Sequence, residues 1–385
     1  MKIIRITTVP ISLYLLLKGQ LKYLSKHFNI TAISSPGELL DKVAERENIR
    51  VVGIEIKREI SILNDLFSLY KLYLFFKKEK PDLVHSFTPK SSMLSMLAAW
   101  LANVPHRYYS VTGLRFEGCT GMLRWVLVNM ERLSCYFATK VIPEGNGVKE
   151  KLIHNAITKK PLHTILNGSI NGIDLEYFSK KEYSENYRKK LNINDNDVVF
   201  CFVGRLVGDK GINELIQAFH ILNNNHPNSK LLLVGSFEND LDPLQQESYQ
   251  LLNFNKSILQ VGFQEDIRPY LNSSDIFVFP SYREGFPNVV LQAGAMELPC
   301  IVTDINGCNE IINNGINGII IPSKNTETLY LAMIELLENS DKRSRMSKVA
   351  RNMIETRFDQ KLLWEALLRE YQTLEKKCTT IPQKG

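Results

Sequence analysis

The stretch Ile276-Phe-Val-Phe-Pro280-Ser-Tyr-Arg-Glu-Gly285-Phe-Pro-Asn-Val-Val290-Leu-Gln-Ala-Gly-Ala-Met296 combines a strand, a tight loop and a helix start. Ile276–Phe279 is a short unbroken apolar run, the pattern of a strand covered on both faces. Glu284 falls on the loop at the carboxyl end of that strand, and Gly285 allows the backbone to come close to a ligand. Asn288 is expected to cap a helix running through Gln292 to Met296. Such a helix start offers free N–H groups and a positive dipole end to a phosphate. Glu284 and Gln292 can then reach one ligand, the first from the loop and the second from the helix.

A similar passage lies upstream, Phe202-Val-Gly-Arg205-Leu-Val-Gly-Asp-Lys210-Gly-Ile212. Its strand ends at Val203, a glycine turn follows, and a helix begins near Asn213. Arg205 and Lys210 sit on the loop, where a diphosphate would also meet the backbone N–H of Gly204. Arginine grips phosphate oxygens with a planar fork, and lysine adds a mobile point charge. Glycine-rich turns are common, so this passage alone reads equally well as two ordinary surface cations.

Outward from these two loops, short apolar strands alternate with helical stretches along the chain. Lys2–Thr7, Ile30–Ser34, Val51–Ile56, Leu83–Ser86, Arg107–Ser110 and Lys140–Ile142 read as strands, with amphipathic helices near 18–27, 38–47, 64–79, 90–102 and 121–138. The pattern resumes with strands Val198–Val203, Lys230–Val234, Ile258–Val261, Ile276–Phe279, Cys300–Thr303 and Gly318–Ile321. Alternation of this kind specifies α/β architecture, parallel sheets with helices on both faces. The run Leu166-Asn-Gly-Ser-Ile-Asn-Gly-Ile-Asp174 carries two Asn-Gly turn signals and marks the hinge. A polar stretch, Lys180–Asn196, follows it. The expected domains are residues 1–166 and 167–350, two doubly wound parallel-sheet units facing a central cleft where ligands bind. Residues 351–378 are expected to supply a long amphipathic helix, Arg357–Lys377, that packs back on the first domain, before a polar, unstructured tail.

Composition narrows the class. The 385 residues suit two domains of ordinary size, with 44% apolar and 23% charged residues. No apolar run is long enough to cross a bilayer, and Met1–Thr8 reads as a first strand, not as a secretory signal. The six cysteines are scattered without a C-x-x-C pair, so neither a disulfide framework nor a zinc site is expected. Charge is segregated: residues 1–166 carry 24 Lys/Arg against 13 Asp/Glu, and the rest carry 23 against 28. A basic first half suits an anionic partner such as a lipid headgroup or lipid diphosphate. No nucleic-acid motif is present, and nucleic acid is not expected as a partner.

The two passages together, G-R-L…D-K-G and S-Y-R-E-G-F-P-N-V, resemble the retaining glycosyltransferases of family 4, which have the GT-B fold of two Rossmann-like domains. The resemblance extends through Gly262-Phe263, Asp275–Pro280, Asn306–Glu310 and Phe358–Lys361. The first half, with Val9–Ser12, Lys18–Gln20, His85–Lys90 and Val141–Gly145, is similar to bacterial capsule and lipid-linked-oligosaccharide members. The likeness implies that Arg205 and Lys210 hold the donor diphosphate and that Glu284 bonds the transferred sugar. Phe286, Pro287, Asn288 and Val289 would line sugar and phosphate through backbone groups, and Gly262 and Phe263 would frame the base. The family's second acidic position, on the ribose, falls here on Gln292, whose amide still offers a donor and an acceptor to a diol. Many relatives carry His-x-His after the fourth strand, whereas this chain has His85-Ser-Phe87. His85 is then either a site residue or a satisfied histidine at a strand end. Lys90, on a turn opening a helix, is a candidate for an acceptor phosphate, and Gly19 for a contact with donor or acceptor.

The resemblance further implies retention of anomeric configuration, with a nucleotide sugar (UDP by family frequency) as substrate and no cofactor. No Asp-x-Asp pair directly follows a strand, and no metal is expected. The acceptor would be a polyprenyl-diphosphate-linked glycan or another glycan, at the inner face of the plasma membrane, where the protein would be cytoplasmic and peripheral. Leu13–Leu17, Leu66–Phe76 and Gly121–Phe137 combine apolar and cationic faces that suit either a membrane interface or a core with a solvated rim. A non-catalytic nucleotide-sugar-binding subunit or an epimerase of the same fold is the alternative function.

Overall fold

The two sets of strands form two six-stranded parallel sheets with one and the same internal order. A computed structural model describes residues 1–59, 61–180, 187–238 and 242–379. Part of the polar stretch after the hinge, residues 181–186, and the tail from residue 380 lie outside the described residues. Met1–Asn171 together with the chain from Gln360 makes one unit, and Gly172–Asp359 makes the other. The divisions therefore fall at Gly172 and Gln360, not at 167 and 351.

In the first unit the strands are β1 (Lys2–Ile6), β2 (Asn29–Ser34), β3 (Arg50–Gly53), β4 (Leu83–Ser86), β5 (His106–Val111) and β6 (Lys140–Pro143), ordered 3-2-1-4-5-6. Its helices are α1 (Pro10–Leu16), α2 (Gln20–Ser25), α3 (Glu38–Glu47), α4 (Ile62–Glu79), α5 (Pro89–Leu101), α6 (Gly121–Phe137) and α7 (Asn146–His154). Right-handed crossovers place connections that run outward in opposite directions from β1 on opposite faces of the sheet. Two separate apolar clusters result. One holds Leu72 and Phe76 of α4, Leu94 of α5 and Leu127 of α6. The other holds Leu13, Leu21, Leu40 and, from the terminal helix, Leu367, Tyr371 and Leu374. The sheet is covered on both sides, so β1 and β4 are buried almost throughout, polar Arg5, His85 and Ser86 included.

The second unit begins with the short α8 (Tyr187–Lys190), and its strands are β7 (Val198–Val203), β8 (Ser229–Val234), β9 (Ile258–Gln260), β10 (Ile276–Phe279), β11 (Cys300–Thr303) and β12 (Gly318–Ile321). The order 12-11-10-7-8-9 repeats the first sheet's scheme, with β7 and β10 adjacent where the winding reverses. Around it lie α9 (Ile212–Asn225), α10 (Gln246–Phe254), α11 (Arg268–Asn272), α12 (Asn288–Ala295), α13 (Cys308–Ile311), α14 (Thr326–Glu338) and α15 (Ser340–Phe358). The single long helix expected over Arg357–Lys377 is corrected. Asp359 is extended, at φ −56° and ψ 127°, and divides α15 from α16 (Gln360–Thr379). The Phe358 carbonyl accepts from the Ile173 N–H at 2.8 Å, so the break is fixed by an isolated bridge to the hinge segment.

Candidate active site

The loops that follow β7 and β10 meet because those strands are neighbours at the switch point, the position where doubly wound sheets bind ligands. The contact between the loops is close to backbone on backbone. Tyr282 N–H donates to the Asp209 carbonyl at 2.9 Å, and Arg283 reaches the Asp209 carboxylate at 2.9 Å. Gly211, at φ 70°, turns the first loop into α9, and a Cβ there would lie 2.1 Å from the Pro280 carbonyl oxygen. No side chain fits between the loops at that point.

This docking brings Lys210 and Glu284 together. The Lys210 ammonium is hydrogen-bonded to the Glu284 carboxylate, with 15% and 18% of the two side chains exposed. Ser281 Oγ donates to the same carboxylate oxygen at 3.0 Å. An ion pair this sheltered is less screened than a surface pair. It still leaves acceptor capacity on Glu284 and donor capacity on Lys210 for a sugar hydroxyl and a phosphate oxygen. Arg205 lies further out and pairs with Glu238 at 2.6 Å, its side chain 48% exposed. A diphosphate arriving there competes with one carboxylate for each cation.

Gly204 donates its N–H to Val234 at 2.9 Å, and Gly235 donates to the Gly262 carbonyl at 2.9 Å. The loops after β7, β8 and β9 are thereby joined in a row, with Phe263 on the last of them 74% exposed. Beyond Glu284 the chain enters α12. The capping role expected of Asn288 is corrected: Pro287 occupies the cap and its carbonyl accepts from Val290 N–H at 3.1 Å, so Asn288 is the first helical residue. Its Oδ1 is buried and has no hydrogen-bond partner, and the opening N–H groups of α12 have no intrahelical acceptor. Phe286 is buried with its ring 5.5 Å from Phe358, so any ligand contact there is through backbone. Val289 and Gln292 are half-buried on the same turn and the next.

The three candidates in the first unit are placed differently. Gly19, at φ 77°, caps α2; its N–H donates to Glu47 at 2.9 Å, and a Cβ would lie 2.7 Å from the Trp364 ring. That glycine serves the seating of α16. Lys90 is buried, with its ammonium on Asp65 at 2.7 Å and on the Glu59 carbonyl, so its charge is already neutralised. His85 is buried between Tyr371, 2.5 Å from Nδ1, and Ser110, 2.8 Å from Nε2. Burial, then the charges of Arg5 and Lys140, hold its pKa well below the usual histidine range, so the imidazole is neutral. It is the satisfied strand-end histidine of the two readings. Phe87 explains the missing second imidazole: its ring stacks on His85 at 4.4 Å and lies 4.5 Å under the buried Arg5 guanidinium. A phenyl face attracts that cation.

Residue type did not single out Asp209, Ser281, Tyr282, Glu238 or Gly235, although these hold the site together. Ser281 acts on Glu284 three positions on, but the others depend on partners roughly 30 to 75 positions away along the chain, and only the Gly-rich loop following each strand hinted at them.

Residues 184–353 match the family described as glycosyl transferases group 1, and residues 9–144 match glycosyl transferase 4-like. A capsular polysaccharide biosynthesis glycosyltransferase of Staphylococcus aureus is 35% identical over 97% of this chain and 98% of its own. An Escherichia coli UDP-Gal:alpha-D-GlcNAc-diphosphoundecaprenol alpha-1,3-galactosyltransferase is 33% identical over 78% of each chain. Among solved structures, the Anabaena HepE protein in complex with UDP superposes with a TM-score of 0.79 at 18% identity, covering 97% of this chain and 100% of its own. The fold is GT-B, with two six-stranded parallel α/β sheets. The chain belongs to the group 1 glycosyltransferases.

Proposed function

We propose that this enzyme transfers a hexose or N-acetylhexosamine from a UDP-sugar, with retention of configuration and without a metal, to a polyprenyl-diphosphate-linked or polysaccharide acceptor. The product would enter capsule or O-antigen assembly at the inner face of the plasma membrane. The observation that carries the proposal is the meeting of Lys210 and Glu284 at the switch point, beside the start of α12. Support for the substrate class comes from the galactosyltransferase activity of the Escherichia coli relative and the capsule role of the Staphylococcus relative.

In this reading the donor diphosphate lies over Lys210, Arg205 and the α12 N-terminus, while Glu284 accepts hydrogen bonds from sugar hydroxyls. The bond from the anomeric carbon to the diphosphate oxygen breaks as the acceptor oxygen bonds to the same face of that carbon. The acceptor's proton passes to the departing diphosphate. Lys210 and the helix end stabilise the charge that develops there, the kind of preorganised electrostatics that dominates such steps. Gly262 and Phe263 frame the base, and Gln292 takes the ribose diol.

The test is nucleotide release from a panel of UDP- and GDP-sugars with a membrane lipid extract as acceptor, followed by NMR of the product's anomeric proton. Release from one UDP-sugar, dependent on extract, unaffected by EDTA and giving a product of the donor's configuration, is expected. An inverted product, or turnover abolished by EDTA, would contradict the mechanism.

A further inference from the structure

In the first unit, α4, α5 and α6 lie side by side on one face of the sheet, and their outward surface is unusually apolar. Among the described residues, 13 of the 23 exposed large apolar side chains belong to these three helices. On α4 they form one stripe, Leu63, Leu66, Phe67, Tyr70 and Leu74, at three- and four-residue spacing. The stripe continues into Leu101 of α5 across a recess of about 260 Å³ lined by Leu66, Tyr70 and Tyr73. Trp100 then touches Phe137 of α6, with ring centroids 5.1 Å apart. On α6, Met122, Trp125, Leu133 and Tyr136 make a second stripe, with Trp125 63% and Tyr136 73% exposed. The exposed apolar residues of the second unit, by contrast, are scattered singly, such as Phe254 and Leu331.

The charges of this layer are sorted. Its acidic groups are withdrawn: Asp65 is paired with Lys90, Glu79 with Lys2 and Arg50, and Glu131 is buried against Tyr109. Apart from Lys90 its cations are not, for Lys71, Lys77, Lys78, Arg124 and Arg132 are all exposed. The Lys71 ammonium lies 4.3 Å over Phe67, so charge and apolar surface share one face. No helix among the described residues is long and apolar enough to cross a membrane. Apolar stripes rimmed by cations, with the acids removed, match a surface that is greasy inside and negative outside. A nucleic acid would match the cations and leave the tryptophan, leucine and phenylalanine stripes wet.

We propose that the outer face of α4, α5 and α6 docks this protein onto an anionic lipid bilayer, lying in the headgroup layer without spanning it. The inference gives a contact surface to the peripheral placement proposed above and rests on that reading only for which membrane is met. Vesicle binding needs no sugar donor, so its failure would be distinct from failure of the transfer assay.

The experiment is sedimentation of the full chain with phosphatidylcholine vesicles, with and without phosphatidylglycerol. Tryptophan emission is recorded in parallel, since Trp100 and Trp125 are two of the three tryptophans. Wild type should bind the anionic vesicles, less so in high salt, with a blue shift in emission. Lys77→Ala/Lys78→Ala should weaken that binding about 25-fold, at about fivefold per cation. Phe67→Asp and Trp125→Asp should abolish it, whereas Phe254→Asp, exposed in the other unit, should bind as wild type. Circular dichroism checks that each variant is folded. Absence of binding to any vesicle would overturn the proposal, as would aspartate variants that bind normally. A self-association lost in Phe67→Asp, or RNA binding, in a protein that ignores vesicles would overturn it in favour of that partner.

Discussion

Lys210 and Glu284 can answer each other's charge only because Gly211 lets one loop lie against the carbonyl of Pro280. Gly211→Ala should therefore separate the two groups by roughly the ångström that costs a positioned site about 100-fold in rate. Steady-state kinetics should show kcat falling by that order with donor binding much less affected; an unchanged kcat would show the close approach to be irrelevant. At this scale the sequence was informative where chemistry is local. A glutamate and a lysine on loops after strands could be picked out by type and position. Burial and partners were not legible in the same way. Lys90 reads as a phosphate cation until Asp65, 25 positions away, is seen to neutralise it. Gly19 reads as a ligand contact until the Trp364 ring is found where its Cβ would stand, and His85 until Tyr371, from the far end of the chain, is found on its Nδ1.

Among the elements, α6 carries a titratable group that no catalytic role explains. Glu131 is buried, accepts the Tyr109 hydroxyl at 2.8 Å, and has its pKa pushed up to about 7, chiefly by burial. The folded state thus favours the protonated acid. Its stabilising contribution is complete below the unfolded value near 4.5 and is lost as pH rises through about 7. Glu131→Gln, which keeps the acceptor, should change stability little at pH 4 and raise it at pH 8, by up to about 3 kcal/mol. Denaturant unfolding at both values measures this, and equal effects at the two pH values would contradict it. The strands and the α/β alternation were legible, whereas the short helices α1 and α7 were not among the expected ones. The ends were less legible. Asn288 has the side chain of a cap, but Pro287, with its fixed φ, took the position. The kink at Asp359 has no local signal at all, since it exists to pair with Ile173.

For the whole molecule, the repeated winding scheme is what turns two motifs into one site. Handedness places the connections on the two faces but does not set strand order, so the adjacency of β7 and β10 came from the structure. Donor identity, linkage and acceptor depend on a few side-chain contacts that neither order nor periodicity encodes. The uneven charge, basic in residues 1–166 and acidic after them, belongs to this scale too and predicts association with an anionic acceptor surface that weakens with ionic strength. The central claim is that Lys210 and Glu284 act on a bound nucleotide sugar, and single-turnover UDP release with lipid acceptor tests it most directly. Lys210→Ala and Glu284→Ala should each slow release by about 100-fold or more, as loss of one preorganised charge contact does, while UDP still binds by calorimetry. Release at wild-type rates in both variants would contradict the account.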